Sequence, residues 1–173
     1  IRKLCDSTLI GLSALAPAAD GDAWDAPVIL EPAQVIPTGL TDLDATLGGG
    51  LKTGRLYVVA GRPGMGKSLL ARNWAWRAAC HVTPTAFFTL ELGSSDIRTL
   101  WQTHQAHRGT PTAVLRVFDQ APLSVEAIRQ SLLSTGHPWG LVVVDYLQLL
   151  RPVNPKDPRE RQVAELSRSL KLL

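Results

Sequence analysis

The sequence predicts an α/β fold with a mainly parallel sheet flanked by helices, and three observations predict it. From Arg55 onward, short apolar runs alternate with helical patterns. Runs such as "AFF" and "LVVV" are apolar throughout rather than alternating, which suits strands buried between two helical layers. Finally, "GRPGMGKS" (Gly61 to Ser68) joins the first of these runs to a helical pattern in the form G-x-x-x-x-G-K-[ST].

Composition sets the bounds. At 173 residues the chain suits one ordinary domain with a sizeable core. Hydrophobic residues make up 45% and charged residues 19%, which is globular rather than disordered composition. No apolar run approaches the roughly 18 residues that span a bilayer, so no membrane partner is expected. The opening "IRKLCDSTLIGLSALAPAAD" lacks a long apolar block and an initial Met, and reads as a cut fragment rather than a signal peptide. Cys5 and Cys80 have no paired spacing, so a reduced, cytoplasmic protein is expected. The net charge of +3, from arginines spread along the chain, permits a nucleic-acid partner without pointing to one.

In chain order, residues 1–15 place Ile1, Leu4, Leu9, Leu12 and Leu15 at near-helical spacing, which predicts a short amphipathic helix interrupted by Gly11. Residues 16–37 turn to Pro, Ala, Asp and Gly and read as a linker. A short helix is predicted from Thr41, a natural N-cap, to Leu47, where "GGG" stops it. "RLYVVAG" is then a strand, 66–80 a helix, "TAFFTLE" (Thr85 to Glu91) a strand and 94–107 a helix. "VLRVFD" (Val114 to Asp119) is a strand, Ser124 to Thr135 a helix and "LVVVDYLQLL" a strand. A last helix begins near Pro158, with Val163, Leu166, Leu170 and Leu173 on one face.

The chemistry converges on one edge of the sheet. In the stretch Gly61, Arg62, Pro63, Gly64, Met65, Gly66, the glycines let backbone N–H groups turn inward around phosphates, and the following helix adds its positive end. Lys67 would reach the β- and γ-phosphates of ATP, and the Ser68 hydroxyl would ligate Mg²⁺. In parallel α/β sheets ligands sit beyond the carboxyl ends of the strands, and three strands here end in an acid: Glu91, Asp119 and Asp145. An acid after four apolar residues is costly to bury without a cation, so Asp145 reads as the partner of Mg²⁺ through a water, or else as the cap of a turn. Glu91 reads as the general base for water, or as a solvated strand-end acid. Asp119 reads as a cap for the "QAPLS" turn or for the helix after it. His104 and His107 lack a third ligand at matching spacing. Trp74, Trp76, Trp101 and Trp139 would either stack bases or, as the first two imply by lying in the helix after the phosphate loop, pack on the sheet.

Together these residues resemble the RecA-like ATPase domain of replicative DNA helicases, the DnaB family, from about Pro37 to the end of the chain. "TGLTDLDATLGGGLKTGRLYVVAGRPGMGKS" is similar to the family's entry into its nucleotide site, and "FFTLELGSSDI" to the strand carrying its catalytic glutamate, here Glu91. "LVVVDYLQLLRP" is the narrowest match: the metal-linked acid falls on Asp145, and Tyr146, Leu147 and Gln148 complete the signature. "ERQVAELSRSLKLL" is similar to the helix that follows.

The resemblance implies a P-loop NTPase that hydrolyses ATP with Mg²⁺, moves along single-stranded DNA and forms a hexameric ring. A helicase loader or primase would be a further partner. It implies that residues 1–15 serve as a linker helix docking on the next subunit, 16–37 as a linker and 38–173 as part of the ATPase domain. The alternative for 1–15 is a helix packed on its own domain. The family's sensor strand, DNA-binding loop and arginine finger would all follow Leu173, which implies a fold incomplete at the C-terminus and a fragment poorly active by itself. That sensor strand lies between the strands ending at Gly61 and Asp145, so those two would either pair directly or leave a gap. Rival readings are a RecA-like recombination or repair ATPase, a clock-type phosphotransferase, and an inactive nucleotide-binding oligomerisation module.

Overall fold

The computed structural model describes residues 7–11, 34–89, 91–104, 109–120, 124–147, 150–151 and 154–173, the first segment and His104 by backbone alone. The elements in chain order are β1 (Ser7–Gly11), β2 (Val35–Ile36), α1 (Thr41–Leu47), β3 (Leu51–Lys52), β4 (Leu56–Ala60), α2 (Lys67–Cys80), β5 (Thr85–Thr89), α3 (Ser94–His104), β6 (Leu115–Phe118), α4 (Val125–Ser134), β7 (Leu141–Asp145) and α5 (Arg159–Lys171). The main sheet has the order β4-β1-β7-β5-β6, and β2 pairs with β3 in a separate antiparallel ribbon.

Apolar strands fill both faces of the sheet. Phe87, Leu141 and Val143 point to one side, where Ala71, Trp74, Ala75 and Ala78 of α2 and Ile97 and Trp101 of α3 cover them. Ala86, Phe88, Val142 and Val144 point to the other, against Ile128 of α4 and Val163, Leu166 and Leu170 of α5. The alanines of α2 let that helix lie close to the sheet, and burying each large apolar side chain contributes roughly 1.5–3 kcal/mol. Phe88 stacks on Phe118 with centroids 4.5 Å apart, and Trp101 meets Phe87 edge-on at 5.9 Å. Trp76 and Trp101 donate their indole N–H groups to the carbonyls of Gly109 and Arg72. All four tryptophans considered for base stacking are buried in these layers, so they pack the core.

Two readings at the start of the chain are corrected. Residues 7–11, read as part of a helix, form the strand β1, which lies antiparallel between β4 and β7. The two parallel strands therefore neither pair directly nor leave a gap. The cause is the ladder: two facing strand edges with unpaired N–H and C=O groups are costly, and an extended segment satisfies both edges, whereas a helix satisfies neither. Residues 1–6 and 12–33 lie outside the described residues. The end of the segment read as a linker, Val35–Ile36, is a strand, and Ile36 is buried.

The helix from Thr41 to Leu47 forms where the sequence places it, but its N-cap residue is Leu40. The cap chemistry is displaced onto Asp44, whose carboxylate accepts from the Thr38 amide at 2.8 Å, the Thr38 hydroxyl at 2.6 Å and the Gly39 amide at 3.0 Å. Gly39 has φ 78°, and a Cβ there would overlap the Arg77 guanidinium, so the arginine of α2 lies close against the glycine backbone. Partial burial pushes the Asp44 carboxyl up, but the Thr38 and Gly39 hydrogen bonds and the Arg77 charge outweigh it and leave it below the usual carboxylate range.

Asp44→Ala is expected to lower stability by about 1–2 kcal/mol through three lost hydrogen bonds. The folded pKa is depressed, so that stabilisation is full above about pH 4 and fades as pH falls further. Thermal melts should therefore show a wider gap between wild type and variant at pH 7 than near pH 2. Ile10→Pro removes a ladder N–H from a strand paired on both sides. It should lower the urea midpoint by the equivalent of roughly 1–3 kcal/mol, and an unchanged midpoint would show that β1 contributes nothing to the sheet.

Candidate active site

The phosphate loop begins where β4 ends. Gly66 caps α2 with φ 84°, a left-handed conformation that a side chain would strain, and its carbonyl accepts from the Leu70 amide at 2.9 Å. The first N–H groups of α2 have no partner within the helix, so the start of the helix offers donors and positive potential to the loop. Lys67 folds back over that loop and donates to the carbonyls of Gly61 and Arg62, each at 3.1 Å.

Strand register sets where the acids emerge. Thr89 of β5 is level with Asp145 of β7, and Leu9 of β1 is level with both Val58 and Val144. Because β4 and β7 run the same way, Val59 stands level with Asp145, and Gly61 and Glu91 each lie two residues beyond that level. All of them leave the sheet at one rim. Asp145 is only 4% exposed, and its Oδ1 accepts from the Ser68 hydroxyl at 3.1 Å.

The result is a cavity of about 510 Å³ lined by Pro63, Gly64, Gly66, Lys67, Ser68, Glu91 and Asp145. Gly61, Arg62 and Met65 line an adjoining cavity of about 730 Å³, which shares Gly66 and Lys67 with the first. Every residue singled out from the sequence as a nucleotide or catalytic candidate thus borders one of two connected hollows. An exposed Glu91 facing a buried, hydrogen-bonded Asp145 gives the rim two carboxylates in different environments. The hydroxyl and carboxylate oxygens of Ser68 and Asp145 form a donor pair that fits a hard divalent cation.

Three lining residues, Leu69, Arg72 and Tyr146, were not among the site residues read from the sequence. Arg72 borders the same cavity as Glu91 and Asp145, and its signal was helical spacing, since it lies one turn after Ser68. Tyr146 also lines the cavity and directly follows Asp145. Asp119 accepts from the amide of Ser94 at 2.9 Å and so caps α3, whereas the next helix, α4, is capped by Ser124; residues 121–123 of the turn lie outside the described residues. Parallel pairing of β5 with β6 brings the end of β6 beside the start of α3, a proximity that chain order conceals. The Ser94 hydroxyl and amide hold the Asp119 carboxyl below the usual carboxylate range. His107 and Gln148 lie outside the described residues. Among the described residues no group of three His, Cys, Asp or Glu is arranged to hold a metal, and no helix is long and apolar enough to cross a membrane.

Comparison with known proteins follows the same outline. The DnaB-like helicase C terminal domain family matches residues 35–107 and 92–173. The chain is 37% identical to the replicative DNA helicase DnaB of Leifsonia xyli over 164 residues, covering 80% of this chain and 36% of that protein. It is 33% identical to the replicative DNA helicase DnaB of Rhodothermus marinus, covering 80% of this chain and 18% of that protein. The chain therefore spans about a third or less of the length of these relatives. In structure it resembles a solved ATPase domain, with a TM-score of 0.59 and 23% identity, over 83% of this chain and 61% of that one. That likeness shows the fold alone: an α/β sheet flanked by helices, as in that ATPase domain. With a family match running from residue 35 to the last residue, the chain belongs to the DnaB-like helicase C terminal domain family.

Proposed function

We propose that this chain carries the nucleotide-binding and water-positioning part of an ATP-driven replicative DNA helicase. The observation that carries the reading is the single cavity into which Lys67, Ser68, Glu91 and Asp145 all open. A phosphate-binding loop alone fits many proteins. A loop facing one buried and one exposed carboxylate fits a site that both holds a triphosphate and activates water.

Gly61 to Gly66 would bind the phosphates through backbone N–H groups, helped by the positive end of α2. Lys67 would neutralise charge on the β- and γ-phosphates. The Ser68 hydroxyl would ligate Mg²⁺, and Asp145 would assist the ion through a water. When bound, that ion supplies charge neutralisation at the transferred phosphate. Glu91 would accept a hydrogen bond from the attacking water and take up its proton.

The relatives are named replicative DNA helicases, and this supports single-stranded DNA as the track, a cytoplasmic setting and a hexameric ring as the working assembly. Met65, 73% exposed within the loop, and the exposed Leu69 give a neighbouring subunit apolar surface to cover at the nucleotide site. A helicase loader or primase would be a further partner of that ring.

Lys67→Ala should weaken ATP binding by about 10- to 100-fold through lost charge-assisted hydrogen bonds, read by titration with a fluorescent ATP analogue. Retained affinity would remove the phosphate-loop assignment. Glu91→Gln should leave that affinity intact while lowering turnover by about 10²- to 10⁴-fold. A full-length protein that hydrolyses ATP at its normal rate with glutamine at this position would require a different base.

A further inference from the structure

Glu91 lies in the connection between β5 and α3, where an exposed acid would ordinarily sample many positions. Two side chains restrain that connection from either side. On the near side, the buried Thr89 hydroxyl donates to the carbonyl of Leu92 at 2.9 Å and lies 3.1 Å from the Leu92 amide, which donates to it. This closes a tight turn with Glu91 inside it. On the far side, Asp119 Oδ2 accepts from the Ser94 amide at 2.9 Å, which pins the first residue of α3 to the end of β6. Within the helix start, the amides of Asp96 and Ile97 both donate to the Gly93 carbonyl at 3.1 Å.

Both anchors stand at strand ends: Thr89 is the last residue of β5, and Asp119 directly follows β6. Thr89 is level with Asp145 in the β5–β7 ladder, and Phe88 is level with Phe118 in the β5–β6 ladder, so Asp119 stands level with Thr89. A carboxylate at a helix N-terminus is held by the helix's own partial charge as well as by the hydrogen bond. Neither Thr89 nor Asp119 borders the cavity that Glu91 and Asp145 line. Their polar groups are directed to Leu92 and Ser94, one and three residues after Glu91.

We propose that Thr89 and Asp119 are positioning residues for Glu91: they fix the Glu91–Gly93 turn between two strand ends and thereby set where the Glu91 carboxylate stands against the phosphate loop. The inference rests on Glu91 acting on water, as proposed above. Its physical basis is that a misplacement of about 1 Å in a reacting group can cost on the order of 100-fold in rate while binding of the substrate is little altered.

The test uses the full-length protein and the variants Thr89→Val, Thr89→Ser, Asp119→Ala, Asp119→Asn and Glu91→Gln. Three quantities are measured: the rate constant for ATP hydrolysis, the affinity for a fluorescent non-hydrolysable ATP analogue, and the melting midpoint. Thr89→Val keeps the shape without the hydroxyl, and Asp119→Ala removes the acceptor. Each should lower kcat by about 10- to 100-fold with nucleotide affinity unchanged within about twofold. Thr89→Ser and Asp119→Asn retain an acceptor and should restore most of the rate. Wild-type kcat in both Thr89→Val and Asp119→Ala, beside a dead Glu91→Gln, would overturn the inference and leave the Glu91 assignment standing. A fall in affinity or melting midpoint matching the fall in kcat, without rescue by Ser or Asn, would also overturn it in favour of a purely structural role. Normal turnover in Glu91→Gln would remove the reading beneath it and the inference with it.

Discussion

The parallel pairing of β5 with β7, in the register that sets Thr89 beside Asp145, is the constraint on which the rest of the molecule depends. A parallel ladder forces both strands to release their last residues at the same rim, and a shift of one residue would turn each side chain to the opposite face. With the observed register, the alternating faces of "AFFT" and "VVVD" reach two separate cores, and the acid at the end of β7 falls within 3.1 Å of a hydroxyl on α2. Packing and chemistry are thus settled by one set of backbone hydrogen bonds.

The place of β1 follows from the same need to satisfy backbone groups. Its antiparallel course, with Ser7 opposite Ala60 and Gly11 opposite Leu56, completes a five-stranded sheet in which β4 and β7 remain parallel to one another. The family resemblance assigns this position to the sensor strand. Either direction of strand fills a gap between two parallel neighbours, because each residue offers one N–H and one C=O whichever way it runs. The direction does not alter the rim, since the phosphate loop and both acids belong to other strands.

Much of the site was legible because its signals are local. The phosphate loop needs glycines, a lysine and a hydroxyl at set spacing, and the left-handed Gly66 at the head of α2 is the physical form of that spacing. Glu91 and Asp145 were legible because an ionisable residue after an apolar run has few roles in a buried strand. Asp119 showed the same pattern, yet its partner, Ser94, is 25 residues away and becomes adjacent only when β6 pairs with β5. Residues 7–11 misled for a related reason. Leucines at helical spacing describe a side-chain pattern, whereas the strand answers a demand for backbone partners made by residues roughly 50 to 130 positions away in the chain.

The sequence by itself determined the layered α/β architecture, the phosphate loop and the two acids that face it, because periodicity, glycine placement and isolated charges each act within a few residues. Only the tertiary structure decided which strand stands between β4 and β7, which helix Asp119 caps, and that Arg72 and Tyr146 share the cavity with Glu91. Those outcomes depend on pairing between distant segments, and a hydrogen bond between residues far apart in the chain leaves no pattern in the residues near either one.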